Sequence, residues 1–203
     1  MMELAKLFDK FGCDKGNIKH RYDRVYAPKM DHLKNQKFRM LEIGVFRGNS
    51  TEAWLEYFPN VEIVGIDIFT RVPIDDVCVF ENPRAKGVWC DSLVGPTNEF
   101  LEVVGDGFDI IIDDGLHTHE AQRKTFDNFA KFLKPQGIYF IEDVWAFDFM
   151  DDSEKNHYWI KKHAPAFSEL EWNLLKKLLS NFTVEYHDLR EGYDPDTFIM
   201  EIR

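Results

Sequence analysis

Long apolar runs are missing from this sequence of 203 residues. None approaches the roughly eighteen residues that a bilayer-spanning helix needs, so no membrane span is expected. Positive charge is scarce as well. Lys and Arg number 25 against 36 Asp and Glu, a formal net charge of −11. Nucleic acids and anionic membranes reward basic patches, so neither is an expected partner. Cysteine is sparse: Cys13, Cys78 and Cys90 lie far apart, odd in number and with no CxxC pair. That excludes a disulfide framework and fits a reducing compartment. Internal repeats and low-complexity tracts are absent. The opening "MMELAKLFDKFG" has early acids and no uninterrupted apolar segment, so it does not read as a secretion signal. The expectation is a cytoplasmic protein. The G-x-G-x-x-G spacing of dinucleotide enzymes is also missing, which argues against a nicotinamide oxidoreductase.

What is present is apolar and aromatic. Hydrophobic residues make up 44% and aromatics 15%, with 18 Phe and 5 Trp. This suffices for one well-packed α/β domain over residues 1–203, with 1–36 as an N-terminal helical or lid segment. Helical spacing predicts helices over Met2–Phe11, Val25–Lys34, Asn49–Phe58, Thr97–Val103, Glu120–Phe132 and Ser168–Ser180. Asn49 or Ser50 is the expected cap of the third. Short apolar runs predict strands at Arg39–Ile43, Val61–Phe69 (ending near Asp67), Ala85–Asp91, Phe108–Asp114 and Gly137–Asp143. Pro135 and Gly137 mark the start of the last of these. Strands at Thr183–Leu189 and Thr197–Arg203 complete the chain. Alternating strands and helices imply a mostly parallel, helix-covered sheet. The link "REGYDPD" is too short for a crossover helix, so the last two strands should form an antiparallel hairpin.

Ligands of such sheets bind beyond the carboxyl ends of the strands, and the marked residues fall there. "LEIGVFRGNS" is a strand, a glycine turn and a helix. Gly44 permits a sharp turn and Gly48 a close ligand approach, though a structural turn explains the same pattern. Asp67 ends the second strand, where an acid can accept from both hydroxyls of a ribose or cap a helix. Asp91 follows the third strand and is a candidate for the adenine end of a nucleoside. "DIIIDDGLHTHE" then crowds Asp113, Asp114, His117 and His119 at the end of the fourth strand, and "IED" adds Glu142 and Asp143 at the fifth. Adjacent strand ends lie about 5 Å apart, so these acids repel one another at neutral pH. A divalent cation resolves the conflict, and oxygen donors favour magnesium, manganese or calcium over zinc. The plainer alternative is a hydrogen-bonded acid pair with Asp114 capping a helix.

The strand–ExGxxxG–helix unit, followed by "GID", "CDS" and "IDDG", resembles a class I S-adenosylmethionine-dependent methyltransferase. That resemblance implies a Rossmann-like, seven-stranded sheet of order 3-2-1-4-5-7-6. It places Glu42 and Gly44 under the methionine part of the donor, Asp67 on the ribose, and Asp91 with Ser92 on the adenine side. Gly48 and Asp113 join the donor-binding set. "DDGLH" with "GIYFIEDV", and the opening "CDKGNIKHRYDRVY", resemble the metal-dependent sugar O-methyltransferases acting on macrolides such as macrocin and mycinamicin. By that resemblance Asp114, Glu142 and Asp143 hold Mg2+ (or Mn2+), and His117 is the catalytic base. The expected length leaves no room for the extra N-terminal domain of the macrolide members, so a macrolide acceptor is not implied.

The expected partner is a small-molecule hydroxyl acceptor, a sugar or glycoside, and homo-oligomerisation stays open. A catechol-type O-methyltransferase acting on a phenolic diol, and a non-catalytic nucleoside-binding protein of the same fold, are the rival readings. His119 should face away from the site, into solvent or at a cap. Lys15, His20 and Tyr22 read either as a polar lid or as ordinary surface. Trp145, Phe147, Phe149, Tyr158 and Trp159 read either as sugar-stacking rings or as core anchors. Asp151, Asp152 and Glu154 read as a solvated face.

Overall fold

In the computed structural model, which describes residues 3–190 and 194–203, the short apolar runs pair into one seven-stranded sheet. The strands are β1 (Phe38–Ile43), β2 (Val61–Asp67), β3 (Ala85–Trp89), β4 (Phe108–Asp113), β5 (Leu133–Ile141), β6 (Val184–Asp188) and β7 (Phe198–Ile202). Their order is β3-β2-β1-β4-β5-β7-β6, that of the class I methyltransferase sheet. β1 to β5 run parallel, whereas β7 is antiparallel to both β5 and β6. The expected hairpin is present, although part of its connection, 191–193, lies outside the described residues.

The central strands are apolar at almost every position because both faces are covered. Met40, Ile110 and Phe140 point into one layer, and Leu41, Ile111 and Tyr139 into the other. The first layer is roofed by α1 (Leu4–Lys10), α2 (Asp23–Met30) and α3 (Asn49–Tyr57). At its centre Trp54 meets Phe8 edge-on at 4.9 Å and Tyr26 at 5.2 Å. The second layer is built from α4 (Asn98–Val103), α5 (His119–Phe129) and, after the short helices α6 (Asp152–Lys155) and α7 (Tyr158–Lys162), α8 (Glu169–Leu179). Phe100, Phe126, Phe129 and Trp172 anchor it. Each such ring contributes about 1.5–3 kcal/mol on burial.

Three elements differ from expectation. α3 is capped by Gly48, in the left-handed region at φ +81°, and not by Asn49 or Ser50, which already lie inside its first turn. β5 begins at Leu133, before Pro135. Pairing passes from Phe108↔Leu133 directly to Ile110↔Ile138, and the looped-out residues let Pro135 sit where no ladder N–H is needed. Between β5 and α8, where no helix is expected, lie a 3-10 turn (Phe147–Phe149), α6 and α7.

One slot in the sheet bears on the site. β2 and β3 meet at Gly65↔Gly87, and the Phe80 ring fills the space both leave. A Cβ on Gly87 would lie 2.4 Å from that ring, and one on Gly65 3.1 Å.

Candidate active site

The acids gather at the carboxyl ends of β4 and β5. Asp113 ends β4 in register with Ile141 of β5, so Asp114 and the pair Glu142–Asp143 emerge side by side. Gly44 makes room for them. It sits at φ +88°, and a Cβ there would lie 2.0 Å from the Asp114 carbonyl oxygen. No side chain fits at this crossing of β1 and β4. Asp143 is itself left-handed, at φ +51°, a conformation that costs a non-glycine residue about 1–2 kcal/mol. Tyr22 holds it there. The Tyr22 hydroxyl donates to the Asp143 carboxylate and accepts from the Asp143 N–H at 3.3 Å.

His117 joins this group. Its Nε2 is 3.8 Å from Asp114 Oδ1 and 3.6 Å from Asp143 Oδ2. One ligand atom from each of the three residues lies within 4.8 Å of the others, a spacing that a single divalent ion spans. Glu142 is not part of this ligand-spaced set. It is 1% exposed and accepts from Lys15 Nζ and from the Tyr26 hydroxyl. Lys15 Nζ also donates to Asp114 Oδ2 at 2.5 Å. Of the four residues expected at this rim, Asp114, Asp143 and His117 share one ligand-sized space, whereas Glu142, joined to Asp114 through Lys15, lies outside it and deepest.

Lys15, His20 and Tyr22 are not ordinary surface; all three are interior, at 2%, 1% and 0% exposure, and Lys15 and Tyr22 lie over the clustered acids. His20 Nδ1 pairs with Thr197 Oγ1 at 2.9 Å, its Nε2 lies 3.8 Å from Asp143 Oδ1, and its ring stacks on Tyr22 at 4.9 Å. Tyr26 was not singled out from the sequence at all. The available signal was a hydroxyl-bearing ring beside Val25 and four residues before Met30, the buried side of a short helix, since a buried Tyr needs a partner for its O–H.

Burial pushes the Glu142 carboxyl well up, against the pull of Lys15. Asp114 is displaced the same way by burial, again opposed by Lys15. Asp143 goes the other way. Burial raises it, but His117, His20 and the Tyr22 hydrogen bond together hold it below the ordinary carboxylate value. Lys15 stays charged despite its burial because Asp114 and Glu142 face it. Asp113, beneath them, is pushed by burial to about 7. It accepts from Gly115 N–H at 3.2 Å.

The residues expected to bind the methyl donor line the neighbouring strand ends. Glu42 is wholly buried, and burial raises its carboxyl above the ordinary range. It accepts from Thr51, yet its Oε1 has no partner; Asp113 Oδ2 is likewise unpartnered. Asp67 sits at the mouth of the glycine turn. It accepts from Val45 N–H at 2.9 Å, Phe46 N–H at 3.0 Å and Phe69 N–H at 2.9 Å. Asp91 accepts from Leu93 N–H at 2.9 Å, and Ser92 Oγ pairs with Thr125 Oγ1 at 3.0 Å. The space beside Gly48 is filled by Val79, whose Cγ1 would lie 2.6 Å from an added Cβ.

His119 does turn away from the site, but not into solvent. It is 0% exposed, ringed by Phe147, Phe167 and Trp172, with Nε2 2.6 Å from the Trp145 carbonyl. The cap of α5 is Thr118; Asp114 caps nothing. Trp145 and Phe147 are core anchors, whereas Phe149 and Tyr158 are exposed. Asp151 and Glu154 close a capping box on α6, so this acidic run is more than a solvated face.

Among the described residues a second group, Glu185, His187 and Glu201, also has ligand spacing. Lys29 and Arg203 already pair with its acids. A surface cleft of about 320 Å³ beside α3, lined by Phe11, Leu55, Val79 and Arg84 among others, contains none of the clustered acids. All three cysteines are free. No helix among the described residues is long and apolar enough to cross a membrane.

Comparison with known proteins agrees with this architecture. A family model described as a methyltransferase domain matches residues 41–144, about half of the chain, and the chain belongs to that family. It is 29% identical over 156 residues to mycinamicin VI 2''-O-methyltransferase of Micromonospora griseorubida, covering 71% of this chain and 36% of the relative. It is 30% identical over 152 residues to demethylmacrocin O-methyltransferase of Streptomyces fradiae, covering 71% and 37%. The chain thus spans just over a third of the length of these curated relatives. Among solved structures, the MycE methyltransferase of the mycinamycin pathway in complex with Mg and SAH superposes with TM-score 0.70 at 23% identity. That match covers 100% of this chain and 54% of the other.

Proposed function

We propose that this chain is an S-adenosylmethionine- and divalent-metal-dependent O-methyltransferase, formed by residues 1–203 as one methyltransferase domain, that acts on a hydroxyl of a sugar or glycoside. The observation that carries this reading is the convergence of two acids, Asp114 and Asp143, with the imidazole of His117, one ligand atom of each within 4.8 Å of the others, beside the glycine turn at Gly44. The donor set supports both small molecules. Three carboxylates answered by one lysine leave negative charge for a hard cation such as Mg2+ or Mn2+. The unpartnered oxygens of Glu42 and Asp113 are acceptors, suited to a cationic amino-acid donor and not to a pyrophosphate. The names of the relatives, sugar O-methyltransferases of antibiotic pathways, support the acceptor class.

When bound, the metal would supply Lewis acidity toward the acceptor hydroxyl, and S-adenosylmethionine the methyl group. Asp114, Glu142 and Asp143 would hold the ion. Each Glu142 oxygen keeps a second lone pair beyond those used by Lys15 and Tyr26. His117 Nε2, turned toward the two aspartates, takes the proton of the attacking hydroxyl, and those carboxylates stabilise the imidazolium that forms. Asp67 presents its remaining acceptor capacity to the ribose, with Glu42, Gly44 and Gly48 on the methionine side and Asp91 with Ser92 toward the adenine.

The test is a methyl-transfer screen with labelled donor against glycosides and catechols, with and without magnesium. Label should pass to a glycoside hydroxyl only when magnesium is present. Transfer that persists in chelator, or that goes to catechols alone, overturns the reading.

A further inference from the structure

We propose that Lys15 is the resident counter-cation of the acid cluster. It keeps Asp114 and Glu142 assembled when no metal is bound, and so weakens the grip of the cluster on a divalent ion. The inference rests on the reading that these acids bind such an ion.

The geometry supports a built-in charge and not a mobile flap. Lys15 is 2% exposed and bridges Asp114, beyond β4, to Glu142, beyond β5. The segment that carries it is pinned on both sides. Cys13 N–H reaches the Phe8 carbonyl at 2.8 Å, His20 N–H the Asp14 carbonyl at 2.8 Å, and Arg21 N–H the Gly16 carbonyl at 2.9 Å. Gly16 leaves no slack, since a Cβ there would lie 2.5 Å from Asp9 Oδ1 and 2.7 Å from the Ala5 carbonyl. A fixed ammonium this close to two carboxylates cancels much of their repulsion. The acid side chains are therefore held in place before any metal arrives. The same charge repels an incoming divalent cation.

A lysine that only ties the N-terminal segment to the sheet would behave differently. Its loss would lower stability in a way that no metal restores. A counter-cation, once removed, can be replaced by the ion it kept out.

The test uses the full chain as wild type, Lys15→Met, Lys15→Arg and the charge-compensated double variant Lys15→Met/Glu142→Gln. Mn2+ binding is read by loss of the free-ion electron paramagnetic resonance signal, and thermal melting is followed in chelator and in Mn2+. Lys15→Met should bind Mn2+ about ten- to a hundredfold more tightly than wild type. It should melt low in chelator and regain most of the difference in Mn2+. Lys15→Arg should track wild type, and the double variant should lose the gain. If Lys15→Met folds only when Mn2+ is supplied, that too is the expected behaviour. Equal or weaker binding by Lys15→Met, or a melting loss that Mn2+ does not restore, overturns the role of Lys15 alone. If neither wild type nor Lys15→Met binds Mn2+ at millimolar concentration, the metal reading falls and this inference with it. Binding by Lys15→Met but not by wild type supports it in its strongest form.

Discussion

The two halves of the rim above the sheet are held by different means. On the donor side, Asp67 and Asp91 take their hydrogen bonds from backbone N–H groups of the adjoining turns. On the acid side, Asp114, Glu142 and Asp143 take theirs from side chains of the N-terminal segment, Lys15, Tyr22 and Tyr26. These contacts bridge 99 to 127 positions of sequence. Backbone donors survive almost any substitution around them. Side-chain donors vanish with one. Asp67 and Asp91 should therefore keep their places under mutation of their neighbours, and the acid half should fail abruptly, because a buried acid stripped of its partner bears its full desolvation cost.

Replacing Asp143 with Ala should break this contrast most severely, removing turnover while S-adenosylmethionine still binds. Parallel turnover and calorimetry measurements decide it, and an undiminished Asp143→Ala enzyme would remove Asp143 from the metal site. Next comes His117→Gln, expected to lower turnover by about 10²–10⁴-fold, the usual worth of a positioned base. Donor affinity should be unchanged; if it falls in step with turnover, His117 serves the donor side instead.

His119→Ala should act on the fold and not on the chemistry, costing about 2–4 kcal/mol of stability through the cavity and the lost bond to Trp145. Burial holds this imidazole below its ordinary value of 6.5. Below that pH the unfolded chain takes up a proton that the native ring refuses. Stability present above about pH 6.5 is therefore lost on acidification, and His119→Gln should flatten that part of a denaturation series. A His119→Gln curve that parallels wild type would show that another group sets the slope. The smallest effect is expected for Asp67→Ala, about 1.5–3 kcal/mol of donor binding. Calorimetry giving equal affinity would leave Asp67 as a brace for the glycine turn alone.

Alternation of apolar strands with amphipathic helices made the sheet legible, and the short link before the last strand made its hairpin legible. The acids were legible for a local reason: "DDG" and "IED" end adjacent apolar runs, so each sequence neighbourhood declares its own strand end. Lys15 and Tyr22 were half legible, since a polar lid was one of their two readings, and Tyr26 was not legible at all. Their neighbourhood is polar and turn-rich, which looks like surface, and their partners come from strands far along the chain. His119 was half legible. Spacing from His117 gave the direction of its side chain, but not that α8 and the loop after β5 would pack aromatic rings there. The cap of α3 was misplaced because Asn49 and Ser50 resemble caps in sequence, whereas the left-handed Gly48 starts the helix one residue earlier and leaves both inside its first turn.

The Phe80 ring between Gly65 and Gly87 works as a key in a lock at the junction of β2 and β3. The 3-10 turn Cys78–Glu81 that carries it also presses Val79 against Gly48, at the start of α3. A methyl group added at Gly87 would evict the key and shift the turn that packs against Gly48. Efforts to retune donor preference therefore have a lever outside the pocket. Trimming Phe80 would loosen the seating of the glycine turn while every residue facing the donor kept its identity.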